Sequence, residues 1–286
     1  MTVCVFQAKM ATFALDSFGK RMTTNFADRF RLDGKVALVT AAAGGFGAQI
    51  CRGLAELGAD VVVTDVNDEA ARDVAKTVDE VGRRSLVAHL DVADLAEVER
   101  VVTLAQQQFG HIDVLVNIAC AAVLRPVLDL TVDEYDRTMA TCLRGAFLIS
   151  QAVGRVMVAG GAGGSVIHIS SIASSRALGR GTGMYAAAKA GINALVRELA
   201  VEWGPHNIRA NAIAPCQFRT PAFEKLLDDP RFGGREKLSA KMLARIPLGR
   251  FGEPHEIVAP TIFLASDASA MVTGHVLFLD GGYMAY

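Results

Sequence analysis

A chain of 286 residues, 51% of them apolar, is long enough to bury a large core within one α/β domain. Its 29 basic and 30 acidic residues give a formal net charge of −1, which argues against a nucleic-acid partner because no positive field is available for a polyanion. No apolar run approaches the roughly 20 residues of a membrane-spanning helix, so we expect no membrane partner.

The cysteines and histidines form no ligand pattern. The five cysteines are odd in number and lack CxxC spacing, which suits a reducing cytoplasm better than a disulfide scaffold. The six histidines lack HExxH-type spacing, so we expect no metal site. Residues 1–31 contain short apolar pieces but no continuous signal-peptide core. They also lack the periodicity of the rest and are predicted to be a loosely ordered extension of a domain spanning residues 32–286.

Regular structure is predicted to begin with a strand over residues 36–40, followed by a helix over 44–58. A glycine-rich turn joins the two. In such a turn, backbone amides and a helix N-terminus can face a pyrophosphate, and glycines allow its close approach. Its position between a strand and a helix makes this signal much stronger than a lone glycine-rich loop. The turn lies between Thr40 and Gly47.

The second predicted strand, residues 59–65, ends at Asp65. A carboxylate in this position can accept hydrogen bonds from the adenosine ribose hydroxyls and repels a 2′-phosphate. Neither the turn nor residues 66–67 supply a basic side chain, so the cofactor is predicted to be NAD rather than NADP. The alternative is that Asp65 only caps the next helix, although Asn67 or Asp68 could provide that cap.

Helices and strands then alternate along the chain. This pattern predicts a Rossmann-like, doubly wound parallel sheet in a single α/β domain with helices on both faces. The predicted helices cover residues 68–81, 94–109, 132–158, a run from Tyr185, and 252–267; the predicted strands cover residues 85–90, 114–118, 165–170, 208–213 and 275–283.

The stretch from Ser171 to Lys189 brings together a hydroxyl, a phenol and an ammonium. Tyr185 and Lys189 are four residues apart in an Ala-rich run, so a helix there would place them on one face. A free tyrosine has a pKa near 10, and a neighbouring cation favours its phenolate. Tyr185 could therefore exchange a proton near neutral pH, although a YxxxK pair alone is weak evidence.

This segment resembles the catalytic stretch of the short-chain dehydrogenase/reductase family, and the resemblance extends from about Leu32 to Tyr283. It implies that Ser171, Tyr185 and Lys189 serve hydride transfer between NAD(H) and a secondary alcohol or ketone, such as a polyol, a sugar acid or a hydroxy acid. Ser171 lies fourteen residues before Tyr185, which suggests a slightly longer loop over the site than is usual.

The same resemblance implies further roles. The stretch TAAAGGFG is similar to TGxxxGxG, with Ala41 in place of the first glycine, and it implies that the cofactor contacts in the turn are Ala41, Gly45, Phe46 and Gly47. Cys142 stands where relatives carry an Asn of the proton relay, and residues 217–250 correspond to a substrate lid. Asn117 either contacts the cofactor or braces the sheet, and both readings stay open. The remaining cofactor contacts implied are Asp91, Val92, Ala119, Pro215 and Thr220, besides Tyr185 and Lys189.

Other readings also stay open. A non-catalytic NAD-binding regulator, or a lyase or dehalogenase-like relative, would use the same fold. The arginines at 176, 180 and 219 either clamp an anionic substrate or are ordinary solvated loop residues. The resemblance implies a homotetramer, with Ala146, Ile149, Ala194 and Leu195 in helix contacts. The substrate pocket is expected to be lined by Ala122, Val123, Ile172 and Met184.

Overall fold

The structure, a computed structural model, describes residues 25–285. The extension predicted over residues 1–31 therefore lies mostly outside the described residues. Its described end contains a short 3₁₀ helix, Phe26–Phe30, whose N-cap Asn25 accepts a hydrogen bond from the amide of Ala27 at 3.2 Å. Leu32, the first residue of the predicted dehydrogenase domain, is buried in the core.

A sheet of seven parallel strands forms the centre of the domain, in the order β3-β2-β1-β4-β5-β6-β7. The central strands are runs of apolar and β-branched residues, as expected where helices cover both faces of a sheet. The predicted Rossmann-like single domain is thereby confirmed. The strands are β1 Val36–Val39, β2 Asp60–Asp65, β3 Ser85–His89, β4 Val114–Asn117, β5 Gly164–Ile169, β6 Ile208–Pro215 and β7 Val276–Leu279.

Helices pack on both faces of the sheet. The core on one face is built from α1, α2 and α9, and the core on the other from α3, α5 and α6. The helices predicted over residues 44–58, 68–81 and 94–109 and the helix through Tyr185 are present to within a few residues at their ends, whereas the helix predicted over residues 252–267 is a 3₁₀ turn, Pro254–Ile257, followed by α9. The helices are α1 Gly45–Glu56, α2 Asp68–Glu80, α3 Leu95–Phe109, α4 Val132–Met139, α5 Gly145–Gly160, α6 Gly183–Trp203, α7 Pro221–Leu227, α8 Arg235–Leu243 and α9 Val258–Ala265.

The single helix predicted over residues 132–158 is interrupted. A π-helical turn, Ala140–Arg144, separates α4 from α5, and the amide of Gly145 donates to the carbonyl of Ala140 five residues earlier. By length and composition alone the continuous stretch Val132–Gly160 could cross a membrane, but half of its most apolar window is buried within the domain. Ile149 and Val153 in α5, for example, pack in the core.

The segment predicted to be a substrate lid, residues 217–250, contains α7 and α8. It has a small apolar core of its own, in which the rings of Phe223 and Phe251 meet edge to face with centroids 5.0 Å apart. Ile172, which follows β5, is part of the same cluster. This apolar contact holds the lid segment against the carboxyl ends of the strands.

Candidate active site

A cavity of about 750 Å³ lies at the carboxyl ends of the strands, where open α/β sheets bind their ligands. We call it the catalytic cavity. The chain order reverses there, because β1 has β2 on one side and β4 on the other. Eight of the predicted site residues line it: Ala41, Gly45, Phe46, Ser171, Tyr185, Lys189, Pro215 and Thr220. Of the predicted substrate-pocket residues, Ala122 and Ile172 line it, whereas Val123 and Met184 do not.

The glycine turn has the geometry of an anion cradle. Helix α1 begins at Gly45 without a side-chain cap, which leaves first-turn amides available to an external acceptor. A Cβ at Gly47 would lie 2.5 Å from the Cα of Ala42, so only glycine allows this close packing. These residues therefore fit a pyrophosphate.

Ala41, which replaces the first glycine of the pattern, has φ = +50°. This left-handed conformation costs an L-residue roughly 1 kcal/mol, and glycine would adopt it freely. The turn keeps its shape despite the substitution, and the chain carries a small strain at this position.

The lid segment covers the turn. The rings of Phe46 and Phe218 meet edge to face with centroids 5.3 Å apart, and a Cβ at Gly45 would lie 3.0 Å from Cδ of Pro221. Thr220 caps α7, because its hydroxyl accepts a hydrogen bond from the amide of Phe223 at 3.3 Å. Its hydroxyl proton remains available to a ligand.

Asp65 lies at the end of β2 with both carboxylate oxygens in use. Oδ2 accepts from the amide of Ala43 at 3.0 Å, and Oδ1 accepts from the amide of Asn67 at 2.9 Å. The cap of α2 is Asn67 itself, whose Oδ1 accepts from the amide of Ala70 at 3.1 Å. Asp65 therefore does not cap the helix directly but holds the glycine turn against the second strand, and its remaining lone pairs can accept further hydrogen bonds.

Asp91 and Val92, which follow β3, differ in exposure. Asp91 is exposed, and its Oδ1 accepts from the amide of Ala93 at 2.9 Å. Val92 is 2% exposed and packs closely against Gly145 of α5, where a Cβ would lie 2.6 Å from a Val92 methyl carbon. Only the backbone of Val92 is thus available for a contact with a ligand.

Asn117 belongs to a buried polar chain beneath the cavity. Its Oδ1 accepts from the hydroxyl of Thr40 at 2.7 Å, and its Nδ2 lies 3.2 Å from Nδ1 of His168. Thr40 in turn accepts from the amide of Ala119 at 3.2 Å. The side chain of Asn117 is therefore occupied in joining β1, β4 and β5, which supports the bracing role.

His168 continues this chain and is fully buried in β5. Its Nε2 lies 2.9 Å from the hydroxyl of Ser150 in α5. Burial, and then the positive charge of Lys189, lower the pKa of His168 to about 3. The imidazole is thus neutral, with Nδ1 accepting from Asn117 and Nε2 donating to Ser150. Sequence reasoning missed this residue, because a single histidine in an apolar strand carries no motif.

The three predicted catalytic residues converge. Ser171 follows β5 and is 7% exposed, and its hydroxyl accepts from the amide of Ala173 at 3.1 Å. Tyr185 and Lys189 share one face of α6, with Nζ of Lys189 5.7 Å from the centre of the Tyr185 ring. The ammonium also donates to the carbonyl of Ile169 at 2.6 Å. A charged side chain that is 2% exposed is therefore held in place by a strand carbonyl.

The electrostatic environment of Tyr185 has opposing contributions. Burial raises the pKa of the phenol, negative charge on the neighbouring sulfurs of Cys120 and Cys142 adds to this rise, and the hydrogen bond with Ser171 lowers it. The protein without a bound cation therefore holds the phenol protonated. A positive charge placed at the cavity would favour the phenolate.

The thiols of Cys120 and Cys142 lie in contact. Their Sγ atoms are 3.5 Å apart, and Sγ of Cys142 lies 3.8 Å from the carbonyl oxygen of Ala121. Cys142 is fully buried in the π-helical turn, whereas Cys120 is exposed and lines the cavity. The pairing could not be read from the sequence, because the two residues belong to different elements.

The three arginines separate into different environments. Arg219 forms ion pairs with Glu224 and Glu253, and Arg176 is exposed. Arg180 lines the cavity, and burial lowers the pKa of its guanidinium. Among residues 25–285 no carboxylate lies within ion-pair distance of Arg180.

A second polar group in the cavity has no partner within the described part of the chain. Gln217 is 6% exposed and lines the cavity, and its Oε1 accepts no hydrogen bond there. A buried acceptor of this kind costs about 1–3 kcal/mol unless a ligand supplies a donor. In the same range of residues, no group of three or more metal-ligating side chains is found.

Comparisons with known proteins agree with this architecture. Residues 41–284 match the family model described as enoyl-(acyl carrier protein) reductase. The chain is 42% identical over 256 residues to D-threitol dehydrogenase of Mycolicibacterium smegmatis, covering 89% of this chain and 94% of the relative.

Two solved structures are similar over nearly the whole described domain. A short-chain type dehydrogenase/reductase from Mycobacterium marinum is 33% identical with a TM-score of 0.86, and the match covers 92% of this chain and 100% of that one. A gluconate 5-dehydrogenase from Burkholderia cenocepacia, solved in complex with NADP and tartrate, is 37% identical with a TM-score of 0.85 and the same coverage.

Proposed function

Because the chain belongs to the short-chain dehydrogenase/reductase family and is an oxidoreductase of that family, we propose that it transfers a hydride between NAD(H) and a secondary alcohol or the matching ketone. The observation that carries this proposal is the convergence of Ser171, Tyr185 and the buried Lys189 on one wall of the catalytic cavity, beside the glycine turn. The proposed domain runs from residue 32 to residue 286, with residues 217–250 as its lid.

Each catalytic residue has a separate task. The hydroxyl of Ser171 donates to the substrate oxygen, and the Oη of Tyr185 takes the alcohol proton during oxidation or returns it during reduction. Lys189 uses one N–H for the carbonyl of Ile169 and keeps the others for the cofactor ribose and for the proton path. Its charge, 5.7 Å from the Tyr185 ring, favours the phenolate. The nicotinamide, when bound, supplies the site that accepts or donates the hydride.

The first-turn amides of α1, from Gly45 to Gly47, would hold the pyrophosphate of the cofactor. Asp65 would accept from the adenosine ribose, and Asp91 with the backbone of Val92 would border the adenine. Pro215 and Thr220 would border the nicotinamide, with the Thr220 hydroxyl donating to its carboxamide. Asn117 and Ala119 would support the cofactor site indirectly, because their hydrogen bonds with Thr40 fix the ends of β1 and β4 beneath it.

NAD is the proposed cofactor because Asp65 places a negative charge where a 2′-phosphate would lie. Both carboxylate oxygens are already fixed by the amides of Ala43 and Asn67, so the charge cannot swing away to make room. A carboxylate and a phosphate a few ångströms apart repel by on the order of 1 kcal/mol per charge even in water-like screening.

Two side chains support a polyhydroxylated acid as the substrate, in preference to a neutral polyol. Arg180 borders the cavity without a protein carboxylate among residues 25–285, and a substrate carboxylate would satisfy its charge. Gln217 offers an unused buried acceptor, which a substrate hydroxyl would satisfy. The two groups lie in the same cavity as Tyr185.

The proposed assembly is a cytoplasmic homotetramer. Ala194 is exposed on α6 and can contribute to a helix contact, but Ala146 and Ile149 are fully buried within the chain and cannot. A groove between α5 and α6 that includes Phe147, Leu195 and Trp203 offers the apolar surface instead. Light scattering should give four times the chain mass, and a monomer at micromolar concentration would contradict the assembly.

The function is tested with one panel. The purified protein is assayed with NAD and NADP against sugar acids, hydroxy acids and polyols, alongside thermal shifts with each cofactor. We expect stabilisation by NAD and turnover of at least one substrate. Stabilisation without turnover of any alcohol or ketone would favour a regulator, and neither stabilisation nor turnover would favour the lyase-like alternative.

A further inference from the structure

Two thiols meet beside the catalytic lysine. Cys120 lies in the loop after β4 and borders the catalytic cavity, and Cys142 lies in the π-helical turn between α4 and α5. Their Sγ atoms are 3.5 Å apart. A disulfide requires a separation of about 2.05 Å, so the pair must close by roughly 1.5 Å.

We propose that Cys120 and Cys142 form a dithiol site that hydrogen peroxide oxidises reversibly to a disulfide. The proposal goes beyond hydride transfer, because the oxidised groups are the protein's own sulfurs and no alcohol or nicotinamide takes part. It assigns a modification site to two residues that the catalytic steps do not use.

The surroundings of the pair stabilise one thiolate. The thiol of Cys120 can donate to an ionised Cys142, and this hydrogen bond, assisted by the ammonium of Lys189, lowers the pKa of Cys142 to about 6. The same contact raises the pKa of Cys120, so the two sulfurs share a single proton near neutral pH. A thiolate reacts with peroxide, and a thiol does not.

The other described cysteines lack these features. Cys51 is fully buried among apolar side chains of α1, and burial raises the pKa of its thiol. Burial raises the pKa of Cys216 to about 11, and its Sγ lies 3.8 Å from the carbonyl oxygen of Gln217. In the described part of the chain, Cys120 and Cys142 belong to no group of three or more side chains that could hold a metal ion. This favours linkage of the two sulfurs to each other.

Both sulfurs lie outside regular α-helix and strand. Cys142 lies in the π-helical turn, which contains one residue more than an α-helical turn and whose hydrogen bond runs from Gly145 to Ala140. Cys120 lies in a loop, so no helical or strand hydrogen bond holds its backbone in place. Closure by about 1.5 Å therefore has to come from these two segments and from rotation of the side chains.

The reaction balances with peroxide as the only oxidant. The shared thiolate attacks one peroxide oxygen, an S–O bond forms, the O–O bond breaks, and hydroxide leaves with the proton of the second thiol as water. The second sulfur then attacks the sulfenic sulfur, an S–S bond forms, and the S–O bond breaks to release hydroxide. Two thiol sulfurs lose two electrons, and one peroxide is reduced.

The test is a thiol count on the whole chain. The fully reduced protein is treated with a small excess of hydrogen peroxide, denatured, and titrated for thiols, and its peptides are mapped by mass spectrometry without reduction. We expect two of the five thiols to disappear, a peptide linked through Cys120 and Cys142, and complete recovery with dithiothreitol. This measurement needs no substitution and no activity assay.

Substitutions then assign the pair. Cys120→Ser and Cys142→Ser should each abolish the loss of two thiols, whereas the matched controls Cys51→Ala and Cys216→Ser should retain it. Circular dichroism checks that each variant is folded. A linked peptide that joins any other two cysteines would overturn the proposal. So would wild-type protein that keeps all five thiols, or forms only sulfinic acid, at peroxide concentrations that oxidise free cysteine.

Discussion

Nζ of Lys189 lies 5.7 Å from the centre of the Tyr185 ring, on the same face of α6. The ammonium is 2% exposed and donates to the carbonyl of Ile169 at 2.6 Å. Burial and the neighbouring cysteine sulfurs raise the pKa of the phenol. The proposed role of Tyr185 as a proton acceptor near neutral pH therefore needs the charge of Lys189 and that of a bound nicotinamide. The acid–base function proposed for Tyr185 thus depends on the pair, which gives the first prediction.

Replacing Tyr185 with Phe keeps the ring and removes the exchangeable proton. We expect turnover to fall by about 10²- to 10⁴-fold, the usual contribution of a positioned acid–base group. Cofactor affinity, measured by the fluorescence quenching that accompanies NADH binding, should stay nearly unchanged because the ring still fills its place in α6. Near-normal turnover would remove Tyr185 from the mechanism.

The sequence predicted the sheet and the shared helix face of Tyr185 and Lys189 because both depend on local spacing. Seven apolar runs separated by helical stretches determine a parallel sheet, and Tyr185 and Lys189 are one helical turn apart whatever surrounds them. The same reasoning located Asp65, since the end of a strand is a local feature. It could not show that Asp65 also holds the amide of Ala43, because that contact joins two separate elements.

Other parts of the site could not be predicted because they depend on packing between distant segments. The contact between Cys120 and Cys142 requires the π-helical turn, and no propensity distinguishes that turn from an ordinary helix. Ala146 and Ile149 were assigned to a subunit contact because a helical pattern alone does not show which apolar face meets the sheet. His168 gains its role only from Asn117 and Ser150, which lie on neighbouring elements.

Ala41→Gly should stabilise the protein. Ala41 has φ = +50°, and glycine removes the cost of that conformation, although its more flexible unfolded state offsets part of the gain. We expect the free energy of unfolding to rise by up to about 1 kcal/mol in urea titrations. Ala43→Gly is the matched control, since Ala43 has no positive φ, and it should lower stability instead. Equal changes in both variants would contradict strain at Ala41.

Stability should fall on acidification because His168 must remain neutral. Its pKa is about 3 in the folded protein, below the ordinary value of 6.5, so the unfolded chain binds an additional proton between these two values. The contribution of His168 is therefore complete above pH 6.5 and is lost as pH falls, by about 1.4 kcal/mol per unit.

Urea unfolding at pH 7 and pH 5 measures this effect. The wild-type protein should lose about 2 kcal/mol over the interval from His168 alone. His168→Gln should be less stable than the wild type at pH 7. Between pH 7 and pH 5 its free energy of unfolding should fall by about 2 kcal/mol less than that of the wild type. His206→Gln, which changes an exposed histidine, should behave as the wild type does. The same pH dependence in all three proteins would show that His168 is not responsible.

Asp65 should determine the choice of cofactor. We expect the parent enzyme to prefer NAD over NADP by at least tenfold to a hundredfold in kcat/KM, with each tenfold equal to about 1.4 kcal/mol. Asp65→Ser should reduce this preference mainly by weakening NAD, because the hydroxyl cannot replace the carboxylate at both the ribose and the turn. Adding Val66→Arg should then raise the use of NADP. A parent enzyme that uses both cofactors equally would contradict the assignment.

Arg180 should distinguish acidic from neutral substrates. Its guanidinium borders the cavity, and burial lowers its pKa. No carboxylate among residues 25–285 forms an ion pair with it to offset that burial. Arg180→Met keeps much of the side-chain volume and removes the charge. We expect kcat/KM for the best sugar acid to fall by at least about tenfold, since a charge-assisted hydrogen bond contributes about 1.5–3 kcal/mol. Values for a neutral polyol of the same chain length should stay within about twofold, because that substrate has no carboxylate to lose a partner.

Arg176→Met is the matched control for Arg180→Met. Arg176 is an exposed arginine of the same loop, so its replacement should affect neither substrate. If Arg180→Met slows both substrates equally, its role is to shape the cavity, and if the parent enzyme prefers the neutral polyol, the acidic substrate class is wrong while hydride transfer by Tyr185 stands.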